Sequence, residues 1–398
     1  MSIFTLDQGI EAYVKDIPSC SSVTIGVFLD VSLPDEDARL NGVSHFLEHM
    51  CFRGTANRSA YEITKAVDAL GGYINAYTSK EFTCYYITIL PESFVSGLDI
   101  LIDIVFNSVL KSGDIQLEKS IIHEEIKMYE DTPDEKIMDI MNGKMFKDLY
   151  LGKPILGTYD TISELDETSL SDYYQHYFNS SRVKCVVAGK FDNGLNVKDE
   201  LNRRFSLVDF KQETVGAFSE CKNEFQSISY HQKKDLEQTH LCFGFPGYHY
   251  NHPDRYVLTV LSTLFGGSMS SRLFQSVRER EGLAYSIYSS SSFYKHTGAF
   301  IIYAGMAFEN MERVRDCISK EQALILKDGI TDDELNRSKV QLRGGVIINL
   351  EGSSAWVNWL GRQIIYQTGL SEIQQIEKRL AAVTIDEVNR VLQSVFNF

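Results

Sequence analysis

Apolar and polar residues alternate along residues 3–33, most clearly over 22–31, and a period of two predicts strands. A loop of turn-forming residues fills 33–42, and a helix over 42–53 follows. That helix is apolar on nearly every side, through Val43, Phe46, Leu47, Met50 and Phe52. A helix of this kind is buried. An amphipathic helix over 59–70 ends at Gly71-Gly72, and strands are expected at 73–78 and 82–90. Helices then follow over 92–110, 114–129, 134–149 and 168–178, and a buried strand over 182–189. Residues 193–227 are polar and weakly periodic, which suggests one helix and a linker.

From about 227 the order begins again. Strands are expected at 239–245, 284–288 and 298–304, and helices at 254–264, 273–280, 308–328 and onward from a cap at Thr331. Residues 111–118 match 327–335, and 165–174 parallel 383–391. A repeat this long predicts two similar domains rather than a solenoid. The fold class is therefore α+β, with two duplicated domains, each a mostly antiparallel sheet covered by helices. The boundaries are placed at 1–195, a linker region with a helix at 196–227, and a second domain at 228–398. The second copy reaches Phe398 without a counterpart of the strand at 182–189.

Chemistry concentrates in the buried helix. His45, Glu48 and His49 stand at i, i+3 and i+4, so their side chains enter one small volume. The pattern H-x-x-E-H offers two imidazoles as metal ligands and a carboxylate as a proton acceptor. Unpartnered, three buried polar groups would cost several kcal/mol. Zinc needs a further protein ligand, and the 114–129 helix offers candidates. At about 100° per residue, Glu118 and Glu125 fall within roughly 20° of each other. They share the apolar face with Ile115, Ile122 and Ile126, whereas Glu124 lies on the outer side with Lys127. Glu125 is the candidate third ligand, and Glu118 the carboxylate that accepts a hydrogen bond from a ligating histidine. Cys51 reads as a small core residue rather than a ligand. His123, His249 and His252 read as surface residues, Asp30 as the end of its strand, and Glu36 as a solvated loop residue.

Composition narrows the setting. Hydrophobic content of 43% with 12% aromatics is ample for ordinary cores. A formal charge of -15 argues against nucleic acid or an anionic membrane as partner. Seven widely spaced cysteines without C-x-x-C suit a reducing compartment. The N-terminus has no basic region or apolar run, and residues 94–110 are interrupted by Asp99 and Asp103, so neither a signal peptide nor a membrane span is expected. A cytoplasmic protein is the expectation.

Taken together, these motifs resemble the pitrilysin family of metallopeptidases, and most closely its processing-peptidase branch. His45-Phe-Leu-Glu48-His49 matches the family's H-x-x-E-H, and Glu125 lies at the separation of its last zinc ligand. Glu118 matches a further family glutamate. The segment Gly71-Gly-Tyr-Ile-Asn75-Ala76-Tyr-Thr is similar to the family's substrate-binding edge strand, which takes extended peptide by strand addition. Arg278 and Tyr285 match the arginine and tyrosine of the second signature, which bind the substrate carbonyl region and oxyanion. The resemblance implies a zinc endopeptidase with one Zn2+ per chain held by His45, His49 and Glu125, and with Glu48 as general base. It also implies a homodimer whose chamber admits unfolded or extended peptides and whose site is shared between subunits. Two competing readings are a non-catalytic assembly or chaperone-like subunit on the same fold, and a metal-dependent hydrolase of small amides.

Overall fold

In a computed structural model, residues 1–192, 194–210, 230, 236–366, 369–370 and 372–397 are described. The first half of the chain runs β1 (Ser2–Thr5), β2 (Glu11–Asp16), β3 (Val23–Leu29), α1 (Val43–Cys51), α2 (Ala60–Ala69), β4 (Tyr73–Thr78), β5 (Thr83–Ile89), α3 (Phe94–Phe106), α4 (Ser112–Glu130), α5 (Pro133–Met145), α6 (Tyr159–Glu164), α7 (Glu167–Tyr177), β6 (Val183–Gly189) and α8 (Val197–Phe205). The second half runs β7 (Thr239–Gly247), α9 (Arg255–Phe265), a π-helical segment (Phe274–Arg280), β8 (Ala284–Phe293), β9 (Gly298–Met306), α10 (Met311–Asp328), α11 (Asp332–Asn349), α12 (Ser353–Ile365), α13 (Ile373–Ala382) and α14 (Ile385–Phe396). Most of the expected linker at 196–227 lies outside the described residues; α8 is the helix within it. Among the described residues, no helix is long and apolar enough to cross a membrane.

The strands form a six-stranded sheet in the order β1-β2-β6-β3-β5-β4 and a three-stranded sheet in the order β7-β9-β8. The β2–β6 pair is parallel and every other pair is antiparallel. The fold is thus the expected α+β arrangement of two similar domains. The chain does not divide at single boundaries, however. One compact unit takes 1–128, 153–219 and 349–367, and the other takes 129–152, 220–348 and 368–398. Helix α5, which follows α4, belongs to the second unit, and α12, which follows α11, belongs to the first. The contiguous limits at 195 and 228 miss this reciprocal exchange, because they follow the order of elements along the chain. The exchange follows which sheet face each helix covers.

The packing of α12 shows why the helix is needed. Strand β3 is buried over its whole length. Its residues Val23, Ile25, Val27 and Leu29 join a core built with Val43, Phe46, Leu47 and Met50 of α1 and Leu98 and Leu101 of α3. With a side-chain period of two, Thr24, Gly26 and Phe28 must face the other way. There Thr24 Oγ1 hydrogen-bonds Ser353 Oγ at 2.8 Å. A Cβ on Gly26 would meet Val357 Cγ1 at 2.5 Å, and a Cβ on Gly361 would meet the Phe28 ring at 2.0–2.4 Å. Each element therefore presents a glycine where the other presents a bulky side chain. The second unit uses the same device: a Cβ on Gly244 of β7 would meet the sulfurs of Met141 and Met145 of α5 at 2.6 and 2.3 Å.

The same substitution should therefore have opposite effects on two helices. Gly361→Ala drives a methyl into a buried aromatic ring, and overpacking of about 1–3 kcal/mol at its upper end exceeds the roughly 1 kcal/mol that alanine adds to a helix interior. Gly344→Ala in α11 meets nothing within 4 Å and is expected to be neutral or stabilising. Urea unfolding midpoints of the two variants check the contrast, and equal midpoints would count against this packing.

Candidate metal centre

Helix α1 has no side chain to cap it at its own N-cap, because that residue is Gly42, at φ 97°. A Cβ there would meet Leu156 O and Gly157 Cα, each at 2.9 Å. The helix carries His45 fully inside, and Glu48 and His49 half-buried. The stagger of one turn sets the two imidazole rings 4.6 Å apart, centroid to centroid. From α4, Glu125 faces both rings. Its Oε2 lies 3.8 Å from His45 Nε2 and 3.7 Å from His49 Nε2. One ligand atom from each of His45, His49 and Glu125 lies within 4.8 Å of the others.

Hydrogen bonds fix what these atoms are. Glu118, one of the few buried carboxylates, takes the proton side of His49: its Oε2 lies 3.0 Å from Nδ1. Its other oxygen accepts from Arg53 Nε. With Nδ1 of His49 turned to Glu118, Nε2 faces Glu125. Burial, and then the neighbouring His49, lower the pKa of His45 to about 3, so its ring is neutral. Burial alone would depress His49 as well, but the hydrogen bond to Glu118 and the nearby carboxylates carry it above the usual imidazole value. Burial works against an ionised Glu118 too, yet its bonds from His49 and Arg53 hold its carboxyl below the usual range. Glu125 is raised, first by burial. Two imidazole nitrogens and a carboxylate oxygen thus converge on one point, an arrangement suited to a divalent cation. The donor set of two imidazoles and one carboxylate suits zinc with a position left open.

Glu48 stands beside these ligands. Thr78 Oγ1, at the end of β4, donates to Glu48 Oε2 at 2.5 Å. Burial raises Glu48, and the charge of Glu125 adds to the effect. Among the described residues, strand β4 is an edge of its sheet and pairs only with β5. Asn75 is exposed on it, and its Oδ1 accepts from the Ala76 amide at 2.8 Å. Such an edge is open to strand addition beside the His45, His49 and Glu125 cluster.

The structure brings His45, Glu48, His49, Glu118 and Glu125 together, with Asn75 and Ala76 on the adjoining strand. Arg278 and Tyr285 belong to the second unit, where both are exposed and the guanidinium lies 5.4 Å from the Tyr285 ring centroid. Cys51 is a core residue whose thiol is 3.5 Å from the Tyr85 hydroxyl, and burial raises its pKa to about 12. Glu124 is solvated and paired with Lys127. Glu36 corrects the sequence reading: it is 4% exposed, not solvated. Sequence reasoning also passed over Arg53 and Thr78. Arg53 follows His49 by four residues, one helical turn, and Thr78 closes the Gly71–Thr78 motif, so both carried a positional signal.

Known proteins match this chain over its whole length. The family model described as Insulinase (Peptidase family M16) matches residues 12–159, and the one described as Peptidase M16 inactive domain matches 164–342. The zinc ligands would all come from the first of these segments. The uncharacterized zinc protease YmxG of Bacillus subtilis is 37% identical over 393 residues, covering 99% of this chain and 95% of that protein. An uncharacterized zinc protease of Mycobacterium leprae is 34% identical, covering 99% and 88%. Among solved structures, a protease from Helicobacter pylori superposes with a TM-score of 0.88 at 20% identity, covering 99% of this chain and 96% of that one. A peptidase M16 inactive domain from Pseudomonas fluorescens also gives 0.88, at 16% identity, covering 100% and 95%. Both solved structures share the fold. With full-length relatives above 30% identity and both halves matched by its models, the chain belongs to the pitrilysin family, peptidase family M16.

Proposed function

We propose that this protein is a zinc endopeptidase that cuts extended peptides, and that His45, His49 and Glu125 hold the metal. The convergence of two imidazole nitrogens and a carboxylate oxygen on one point carries the reading. Zinc bound there supplies a Lewis acid and lowers the pKa of water to about 7. Glu48 takes the proton from the attacking water and later hands it to the leaving amine. Its burial supports that role, since burial raises the carboxyl above its usual range and so favours its taking up a proton. Thr78 holds one of its oxygens in place. The edge of β4 binds the peptide backbone, with Asn75 and Ala76 in contact with it.

The second signature supports a role for Arg278 and Tyr285 in binding the substrate carbonyl and its developing oxyanion. On the likeness to the family, these two residues act from a partner copy, in a homodimer chamber too narrow for folded proteins. Widely spaced cysteines and an acidic chain support a cytoplasmic setting.

Purified protein is expected to contain about one zinc per chain, as a site with three protein ligands implies. Glu48→Gln should keep that zinc and lose peptide cleavage by about 100-fold or more. Normal cleavage by Glu48→Gln, or wild-type protein that takes up no zinc, would refute the mechanism. The shared site is tested by mixing two inactive variants, Glu48→Gln and Tyr285→Phe. Mixed dimers should regain activity, because one pairing reunites an intact Glu48 with an intact Tyr285. A mixture that stays inactive after subunit exchange has been demonstrated argues for a site within one chain.

A further inference from the structure

One buried carboxylate near the metal ligands has no part in the chemistry proposed above. Glu36 accepts from neutral donors, among them the Gly42 amide at 2.9 Å, the Asn41 side-chain amide at 3.0 Å and the Ser44 amide at 3.1 Å. Gly42 is the N-cap of α1, and Ser44 stands in its first turn. A cap side chain ordinarily satisfies one of the free amides at a helix start. Glu36, reaching forward from the preceding loop, satisfies two.

The loop that carries Glu36 is itself tied down. The Glu36 carbonyl accepts from Lys153 Nζ. Ser32 Oγ donates to the carbonyl of Ser79, the residue after Thr78. The Tyr173 hydroxyl is hydrogen-bonded to Ser44 Oγ at 3.0 Å and to the Ser32 carbonyl at 3.5 Å. The same short loop therefore holds the end of the strand that grips Glu48 and the start of the helix that carries the ligands.

The two histidines differ in how their rings are held. His49 is oriented by Glu118 through Nδ1. His45 Nδ1 is buried with no hydrogen-bond partner among the described residues. Ligating histidines ordinarily use that second nitrogen to fix the ring. His45 has only its packing and the backbone of the first turn, and its amide directly follows the one that Glu36 clamps.

We propose that Glu36 is a positioning residue for His45: by clamping the Gly42 and Ser44 amides it fixes the first turn of α1, and with it the direction of the one ligand whose ring has no partner of its own. The proposal rests on the zinc reading of the site. Zn2+ affinity, measured by competition with a chelator, and the visible spectrum of the Co2+-loaded protein test it without reference to activity. Glu36→Ala should weaken Zn2+ binding about 10–100-fold, the range found for partners that orient metal ligands, and shift the Co2+ bands. Glu36→Gln keeps an acceptor for Gly42 and should fall between Ala and wild type. Val187→Ala, a core truncation in β6 of the same unit, should leave affinity and spectrum unchanged while lowering the unfolding midpoint. If folded Glu36→Ala binds Zn2+ as tightly as wild type, with the same Co2+ spectrum, Glu36 merely stabilises the helix and the proposal is overturned. Should Glu36→Ala fail to fold, Glu36→Gln decides on the same two measurements. Wild-type protein that binds no Zn2+ overturns the zinc reading and this proposal together, and that result shows without any substitution.

Discussion

A helix that is apolar on nearly every side, yet carries two imidazoles and a carboxylate, sets the main constraint on this protein. Phe46, Leu47 and Met50 draw α1 fully into the core, and the polar groups go with it. Each then needs a partner, because an unsatisfied polar group in a low-dielectric interior costs on the order of 1–3 kcal/mol. His49 finds Glu118, and Glu118 finds Arg53. Glu48 finds Thr78. The free amides at the helix start find Glu36. These bonds bring α4, the end of β4 and the loop at 32–36 around one helix. They leave His45 Nε2, His49 Nε2 and Glu125 Oε2 facing one another, in a set that could hold a metal ion.

The scaffold makes that constraint affordable by burying its central strand twice. Strand β3 presents Val23, Ile25 and Val27 to the core that holds α1, and Thr24, Gly26 and Phe28 to α12. Paired glycines let strand and helix approach to within one side-chain layer. Among the described residues the outer strand β4 is paired on one side, with β5, which leaves an edge open to strand addition. A rigid centre and an open edge thus come from the same sheet, and the metal ligands sit where the two meet.

Much of this was legible in the chain. The i, i+3, i+4 spacing placed His45, Glu48 and His49 on one helix, and a seven-residue spacing placed Glu118 and Glu125 on one face of another. Both follow from helical periodicity, which a sequence carries openly. Most strands and helices were equally clear, as was the duplication. Glu36 was not, since a glutamate among turn-forming residues reads as solvated, and nothing in its neighbours announces that its carboxylate folds forward under a helix. The exchange of α5 and α12 was hidden for a similar reason. Both helices look like continuations of the half in which they occur.

The sequence by itself therefore determined the elements, their buried faces and the residue types able to bind a metal, because these depend on periodicity and side-chain chemistry over a few turns. Only the tertiary structure decided which carboxylate meets which imidazole, that among the described residues His45 Nδ1 lacks the hydrogen-bond partner that His49 Nδ1 has in Glu118, and that β3 is covered by a helix some 330 residues later, as the Thr24–Ser353 bond shows. Those facts depend on contacts between distant segments. A contact of that kind is fixed by shape and by the need to satisfy buried polar groups, and neither is written in local pattern.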